Sequence, residues 1–340
     1  MSGTPYHAAR IQQLIAGNMR LEVIPYHPNK QQDWDEFVSV SNNGTIFHTR
    51  TFLSYHPPSK FEDKSLIFKK EDRTLALFPA TIWRKNSKKI LSSHRGASYG
   101  GFVIKYPTSI RDAFRLVEAL QIFARAEGFD GIDLTPPPQI YLKHPSDYLD
   151  FALIKHGFTY RKREISSVIQ HNFKIDEILK TFNPESSRAV RRATKLGVTM
   201  RESDDYESFY KILKKNLKMR HNVTPTHTLD ELLLLKKLFP TRIKLFAAYI
   251  EDTMIAGVVM FICNPRVVLA FYISHKEEYQ RFRAVNYLFH KIIRWSIENG
   301  FAFLDFGIFT VDMDPNWGLG RFKESFGAQG VFRDTFQKFL

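Results

Sequence analysis

A cluster of basic side chains recurs at helical spacing in the second half of the chain. Arg188, Arg191, Arg192 and Lys195 recur at spacings of three and four residues, so a helix would place them on one face. Guanidinium groups bind phosphate oxygens through paired hydrogen bonds, and like charges on one face repel each other until an anion arrives. We define these four residues as the basic ridge. Its pattern predicts a polyanion-binding surface, with a solvated helix face as the alternative.

The residues around the basic ridge carry the signals of helix ends. Asn183 is a good N-cap, Pro184 suits the first helical position, Glu185 complements the positive helix end, and Gly197 is typical of the residue that follows a helix. The predicted opposite face carries Ala189, Ala193 and Leu196. A second basic stretch follows on a predicted helix over 206–219, with Lys211, Lys214, Lys215, Lys218 and Arg220. Both helices could face one polyanion.

Acidic residues end the last predicted strands and could act as proton acceptors. Asp305 ends a predicted central strand, where α/β folds place functional side chains, and it could accept a proton from an amine directly or through water. Asp133 ends the equivalent strand of the first half, so both carboxylates could instead cap a neighbouring loop. Asp312 and Asp314, beside Trp317, are alternative bases or cation-attracting groups.

These residues lie within a duplicated pattern. Residues 128–133 read Gly-Phe-Asp-Gly-Ile-Asp and residues 300–305 read Gly-Phe-Ala-Phe-Leu-Asp. Each phrase follows a strand, a turn, a strand, a loop and an amphipathic helix, predicted over 110–127 and 284–299. A duplication of this length predicts two α/β domains. The second phrase is followed by Gly307, two acids and a Phe-Lys turn, so we expect the chemistry in the second domain.

The duplicated pattern divides the chain into three predicted segments. Residues 19–170 are predicted to form the first domain and residues 171–340 the second, which we expect to be catalytic. Residues 1–18 differ in pattern from the rest of the chain, and a weak amphipathic helix is predicted over 7–16. Met19 directly precedes a strand-like run, and we hypothesise that it is the native start.

The composition narrows the class of protein. A length of 340 residues with 44% hydrophobic and 14% aromatic residues supports two well-packed domains. The single cysteine, Cys263, permits neither a disulfide framework nor a cysteine zinc site, and the histidines lack metal-ligand spacing. The sequence has no apolar run of the roughly 18–20 residues that a membrane span needs, and no hydrophobic signal core. We therefore expect a cytoplasmic protein without a bound metal.

The charge balance favours anionic partners. Lys and Arg number 49 against 35 Asp and Glu, which leaves a net charge of +14 and a pI near 9.6. Nucleic acid, nucleotide phosphates and an anionic membrane surface all fit such a balance.

Three stretches together resemble a known family. The first stretch is residues 188–197. The second begins with Tyr-Ile-Ser at 272–274, continues through the following helix and ends with Leu-Asp-Phe-Gly at 304–307. The third is the turn formed by Phe322, Lys323, Phe326 and Gly327. In order and spacing, residues 21–340 resemble the Fem-type peptidyltransferases and their GNAT-superfamily acyltransferase relatives. The resemblance implies an α/β (α+β) fold of two tandem GNAT-like domains, each a mixed, mostly antiparallel sheet flanked by helices.

The resemblance also implies an activity. Fem-type members move an aminoacyl group from tRNA to an amine of a peptidoglycan precursor, whereas other relatives are acetyltransferases. We therefore expect an acyltransferase with no bound cofactor, whose co-substrate is aminoacyl-tRNA or acyl-coenzyme A. The acceptor would be an amine on a small or lipid-linked molecule, and peripheral contact with the inner membrane face would fit a lipid-linked one.

Site residues follow from the same resemblance. Lys323 matches the Phe-Lys turn of the family and is expected to stabilise the donor's phosphate or oxyanion, with a surface lysine as the alternative. Phe322 would pack against the acyl or adenine group, with a plain core phenylalanine as the alternative. From their positions, Tyr272 is expected to orient the substrate, and Asn286, at the start of a predicted helix, to contact a donor phosphate. Further substrate contacts are expected from Arg321, Asp312 and Trp317.

One loop bears on the choice of donor. GNAT enzymes that use acetyl-coenzyme A hold its pyrophosphate with a glycine-containing loop before a helix, and the equivalent residues here are 280–286. Arg283 and Val285 stand at the two small positions, and Val285 disfavours a positive φ. This weakens the coenzyme A hypothesis. An acetyl-coenzyme A-dependent N-acyltransferase and a non-catalytic nucleic-acid-binding protein stay as alternatives.

Overall fold

The chain divides into two compact units. The computed structural model describes residues 12–16, 19–57, 59–221 and 224–340. One unit comprises Met1–Lys162 together with Asp334–Leu340, and the other comprises Arg163–Arg333. The chain passes from one unit to the other twice, within one strand near residue 162 and within another near residue 333. This division differs from the single boundary at residue 170 that the sequence suggested.

The first unit contains most of the N-terminal half. Its strands are β1 Gln12–Ala16, β2 Met19–Pro25, β3 Glu62–Asp63, β4 Leu66–Lys70, β5 Arg73–Phe78, β6 Thr81–Lys85, β7 Lys88–Ser93, β8 Val103–Ile104 and β9 Gly131–Leu134. Its helices are α1 Gln31–Val40, α2 Arg50–Leu53, α3 Ile110–Ala126 and α4 Tyr148–Lys155. The strand β10 Thr159–Gln170 begins in this unit, and β18 Gln329–Phe339 ends in it.

Two sets of strands surround the core of the first unit. One has the order β1-β2-β4-β5-β8, and the other has the order β18-β9-β7-β6-β3, in which β7 and β9 are parallel. The long helix α3 packs its apolar face, including Leu116 and Leu120, into this core. Phe336 of β18 is fully buried in the same core, so the C-terminal residues complete the first unit.

The second unit contains the remaining elements. Its helices are α5 Ile178–Thr181, α6 Pro184–Lys195, α7 Tyr206–His221, α8 Leu229–Leu238, α9 Ala284–Glu298 and α10 Trp317–Glu324. Its strands are β11 Thr199–Ser203, β12 Ile243–Ile250, β13 Thr253–Ile262, β14 Val267–His275, β15 Phe303–Ile308, β16 Thr310–Val311 and β17 Asp314–Pro315.

A mixed sheet organises the second unit. Its order is β11-β12-β13-β14-β15-β10, and only β14 and β15 pair in parallel. The apolar residues of α9, among them Leu288 and Ile292, pack with the small face of α6 against this sheet. The fold class expected from the sequence, tandem mixed and mostly antiparallel sheets flanked by helices, is confirmed.

Local predictions at the ends of the long helices are also confirmed. Gly128 and Gly300 follow α3 and α9 with φ of +68° and +75°, which is the left-handed conformation that ends a helix. The predicted helix over 7–16 is wrong in its second half, because Gln12–Ala16 forms a strand paired with β2; its first residues lie outside the described ones. Within the described residues, no helix is long and apolar enough to cross a membrane.

Candidate functional site

The parallel strands β14 and β15 diverge after a short pairing. Their register covers three pairs, from Val267 with Phe303 to Leu269 with Asp305. β14 then continues to His275, with a bulge at Phe271, since Val259 of β13 pairs with Tyr272 and Met260 pairs with Ala270. The last residues of β14 are thereby left without β15 beside them, and a ligand can approach there.

A cavity of about 560 Å³ lies at this end of β14. Its walls come from β14, the first turn of α9, the residues that begin α10 and one side of α7. The volume falls within the roughly 300–1,000 Å³ typical of small-molecule sites. We call it the transfer cavity.

The N-terminus of α9 supplies backbone donors to the transfer cavity. Arg283 precedes the helix with φ +54° and ψ 34° and makes no side-chain cap hydrogen bond. The amides of the first three helical residues have no partner inside a helix and carry its positive dipole end, so an anion is favoured there. The predicted conflict of Val285 with a positive φ does not arise, because Val285 lies inside the helix and the positive φ belongs to Arg283.

Two polar residues that the sequence analysis missed line the cavity. His275 lines the cavity, and its Nε2 lies 3.8 Å from Glu277 Oε2. Asn216 of α7, also in the lining, donates from Nδ2 to the carbonyl of His275 at 2.6 Å and to Ser274 Oγ at 2.9 Å. A polar residue at the carboxyl end of an otherwise apolar strand was the signal that could have found His275.

Two predicted site residues do line the transfer cavity. Asn286 lies in the first turn of α9, and its Nδ2 donates to Ser186 Oγ of α6 at 3.2 Å. Phe322 of α10 is half-buried in the cavity wall. The hydrogen bond to Ser186 therefore joins the start of α6, the helix of the basic ridge, to the cavity.

Lys323 is buried, so the alternative of a surface lysine is wrong. Its side chain donates from Nζ to the carbonyl oxygens of Gly307 at 2.7 Å and Ile308 at 2.8 Å, just beyond the end of the β14–β15 pairing. Burial lowers the pKa of Lys323 to about 8, although the charge of Asp305 acts in the opposite direction. The ammonium group is held by backbone acceptors, and Lys323 is outside the cavity lining.

Asp305 and Tyr272 are also buried and engaged. Asp305 accepts hydrogen bonds from Ser166 Oγ at 2.5 Å and from the amide of Gly307 at 2.7 Å. Tyr272 forms a 2.8 Å hydrogen bond with His227 Nδ1, and burial raises the pKa of its hydroxyl to about 12. Neither side chain is part of the transfer cavity lining.

The remaining predicted substrate contacts lie on the surface around α10. Trp317 is 71% exposed, and Arg321 and Asp312 are exposed as well. Asn316 and Leu319, which flank Trp317, belong to the cavity lining. None of these three predicted residues belongs to the cavity lining.

The basic ridge lies on α6 as predicted. Asn183 caps the helix by accepting from the amide of Ser186 at 2.8 Å, and all four ridge cations are exposed. Within the described part of the chain, none of the four has a carboxylate in ion-pair distance. One detail differs, because Leu196 is 41% exposed instead of packing with Ala189 and Ala193.

The second basic stretch is partly neutralised. Lys215 Nζ lies 3.6 Å from Glu278 Oε2, and Lys211 Nζ lies 3.0 Å from Glu207 Oε1. The side chain of Arg220 lies outside the described residues. Among the side chains that the structure describes, the ridge cations of α6 have no carboxylate partner, whereas two of the α7 lysines have one.

Comparison with known proteins agrees with this geometry. Residues 185–324, which include the basic ridge, the transfer cavity and Lys323, match the acetyltransferase (GNAT) domain family. The second unit therefore carries a GNAT-type domain, and the protein is an acyltransferase. A comparison with curated protein sequences found no match.

Solved structures extend the similarity to nearly the whole chain. FemX matches with a TM-score of 0.71 and 15% identity over 93% of this chain and 97% of its own. L-PGS from Bacillus licheniformis matches with a TM-score of 0.57 and 10% identity over 92% and 91%. A tandem GNAT protein from the clavulanic acid biosynthesis pathway matches with a TM-score of 0.53 and 8% identity over 94% and 98%. At these identities the similarity concerns the fold.

Proposed function

We propose that this protein transfers an aminoacyl group from a charged tRNA to an amine acceptor. The observation that carries the proposal is the basic ridge, whose four exposed cations have no carboxylate partner among the described residues. Such a surface binds a phosphate backbone, and the start of its helix adjoins a cavity of acyl size. The resemblance to Fem-type transferases supports the tRNA donor and implies a cell-wall precursor as the acceptor.

The transfer step needs few specialised groups because the ester donor is already activated. The acceptor nitrogen attacks the ester carbonyl, the carbon–oxygen bond to the tRNA breaks, and an amide forms. The amine loses one proton, and the departing tRNA hydroxyl gains one. His275 is suited to accept the amine's proton, while the amides at the start of α9 are suited to the developing oxyanion or a donor phosphate.

Lys323 and Asp305 have supporting parts in this proposal. Lys323 binds the carbonyl oxygens of Gly307 and Ile308, so it fixes the backbone at the diverging end of β15. Asp305 accepts two hydrogen bonds in the protein interior, so its carboxylate is engaged with the protein itself. Tyr272, bonded to His227, holds the segment before α8 against β14.

Acetyl-coenzyme A is the second candidate donor. The specific observation in its favour is the uncapped N-terminus of α9, which follows a left-handed Arg283 and opens on the transfer cavity. A pyrophosphate fits such a helix end. The non-catalytic hypothesis predicted a basic patch without an adjoining acyl-sized pocket, and the cavity beside the start of α6 disfavours it.

Binding measurements with matched variants separate these donors. We expect tRNA to bind the protein, and Arg188→Gln, Arg191→Gln and Arg192→Gln together to weaken binding and flatten its dependence on salt. The control replaces Arg73, Arg111 and Lys155, three exposed cations of the first unit, by glutamine. Equal weakening of tRNA binding by both triple variants would refute the basic ridge as a specific tRNA-binding surface. If acetyl-coenzyme A raises the melting temperature and charged tRNA does not, the donor is acetyl-coenzyme A and not aminoacyl-tRNA.

A further inference from the structure

The first unit contains a second cavity that the transfer reaction does not use. It has a volume of about 280 Å³ and lies at the β6–β7 hairpin. Apolar walls come from Trp83, Ile90 and Phe339, and its cations are Lys85, Lys88 and Arg161. No carboxylate belongs to its lining among the described residues. We call it the hairpin cavity.

Two of these cations lie directly opposite each other. Lys85 pairs with Lys88 in the antiparallel register, and Trp83 pairs with Ile90 one step further along the same face. Like charges at directly opposed positions of two strands destabilise the pairing. An anion bound between the two ammonium groups would remove this repulsion.

The other face of the same hairpin shows how such charges are normally satisfied. Arg84 and Lys89 also pair across the strands, but Arg84 lies 3.3 Å from Glu62 and Lys89 Nζ donates to the carbonyl of Glu127 at 2.7 Å. On the cavity face, the structure as described gives Lys85 and Lys88 contacts with aromatic rings and no anionic partner. Lys85 Nζ lies 5.3 Å from the Trp83 ring centre, and Lys88 Nζ lies 4.1 Å from that of Phe339.

Arg161 anchors the third positive charge of the cavity. Its Nε lies 3.0 Å from Oδ2 of Asp133, a carboxylate that is itself buried. Arg95 lies over the Trp83 ring at 4.0 Å, and Asp133 attracts it too. One buried carboxylate thus faces two arginines, so positive charge stays in excess around the cavity.

We propose that the hairpin cavity binds a nucleoside monophosphate, with the phosphate between Lys85, Lys88 and Arg161 and the base against Trp83. The three cations of the lining match a phosphate dianion in charge, and the indole ring of Trp83 with Ile90 and Phe339 beside it gives a planar base an apolar wall. The volume lies just below the roughly 300 Å³ at which ligand pockets usually begin, which limits the ligand to about one nucleotide. This site is independent of the proposed transfer reaction.

Tryptophan fluorescence tests the proposal with the full-length protein. We expect uridine 5′-monophosphate to quench the emission saturably, and Trp83→Phe to remove the change while the other three tryptophans stay in place. Inorganic phosphate and uridine, used as separate probes, should each bind at least about tenfold more weakly, because each offers only half of the contacts. Arg161 is left intact because its loss would leave Asp133 buried without its partner.

Charge variants locate the site. Lys85→Gln with Lys88→Gln should weaken binding of uridine 5′-monophosphate at least about tenfold. The matched control is Lys105→Gln with Lys155→Gln, since Lys105 is also exposed and lies 4.8 Å from an aromatic ring, that of Phe37. Equal weakening in both pairs, equal affinity for phosphate and the nucleotide, or no saturable quenching would each overturn the proposal.

Discussion

The burial of Lys323 is the least expected feature at the scale of single residues. A lysine in a glycine-flanked turn suggested an accessible charge, yet its ammonium group donates to two backbone carbonyls in the interior of the second unit. Burial disfavours the charged form and lowers the pKa to about 8 from an ordinary 10.5. The buried cation at the end of β15 therefore lowers the free energy of unfolding at neutral pH.

The depressed pKa of Lys323 predicts how stability depends on pH. Between pH 8 and 10.5 the unfolded lysine holds its proton more often than the folded one, so the free energy of unfolding rises with pH. Below pH 8 both states are protonated and the contribution is constant. Denaturant unfolding of wild type and Lys323→Met should show a difference that grows over this range in favour of the wild type.

The exposed Lys237 provides the control for this prediction. The free energy of unfolding of Lys237→Met should run parallel to that of the wild type at every pH. A parallel curve for Lys323→Met as well would contradict the assigned burial effect.

The proposed role of His275 as a proton acceptor can be tested by substitution. If its imidazole accepts the proton of the attacking amine, His275→Gln should lower kcat by about 10² to 10⁴ and change KM little. His290→Gln, a half-buried histidine of α9 outside the cavity, is the matched control, and a kcat within a few fold of wild type for both variants would exclude His275 from the reaction.

Several elements could be predicted from local signals alone. The helix α6 follows from Asn183, Pro184 and the spacing of its arginines, and it begins where those residues place it. The glycines after α3 and α9 likewise mark real helix ends. Residues 12–16 could not be assigned this way, because their strand depends on pairing with β2, a contact that a periodicity of side chains does not encode.

The N-cap of α6 can be tested directly. Asn183→Ala removes the side-chain oxygen that accepts a hydrogen bond from the amide of Ser186, and it should lower the free energy of unfolding by about 1 kcal/mol. Asn183→Asp keeps an acceptor at the same position and should stay close to wild type. Thermal or denaturant unfolding measures both variants, and equal losses would show that the cap does not contribute.

At the scale of the whole molecule, the repeated phrase correctly indicated two α/β units but not how the chain is shared between them. Asp334–Leu340 belong to the first unit, where Phe336 pairs with Leu134 of β9 and is fully buried. Long-range pairing of the last strand with one 200 residues earlier leaves no local trace in the sequence. The transfer cavity was equally hidden, because α7, β14, α9 and α10 meet there only in the folded unit.

The C-terminal strand should therefore contribute to the stability of the first unit. Phe336→Ala is expected to lower its free energy of unfolding by about 3–5 kcal/mol through loss of buried surface and creation of a cavity. Phe332→Ala on the same strand is the control, since Phe332 is 52% exposed. Hydrogen exchange resolves the amides of each unit, and faster exchange in α3 and β9 for Phe336→Ala alone is the expected result. Similar exchange in both variants would contradict this role.

Single-turnover transfer tests most directly whether the protein moves an aminoacyl group from tRNA to an amine, as proposed. Unfractionated tRNA charged with labelled amino acids is mixed with the protein and a cell-wall precursor peptide that bears a free amine. We predict label on the peptide with the wild type and with the Arg73, Arg111 and Lys155 control, and a strong loss with the ridge triple variant. Label that stays on tRNA in the presence of the wild type would contradict the account.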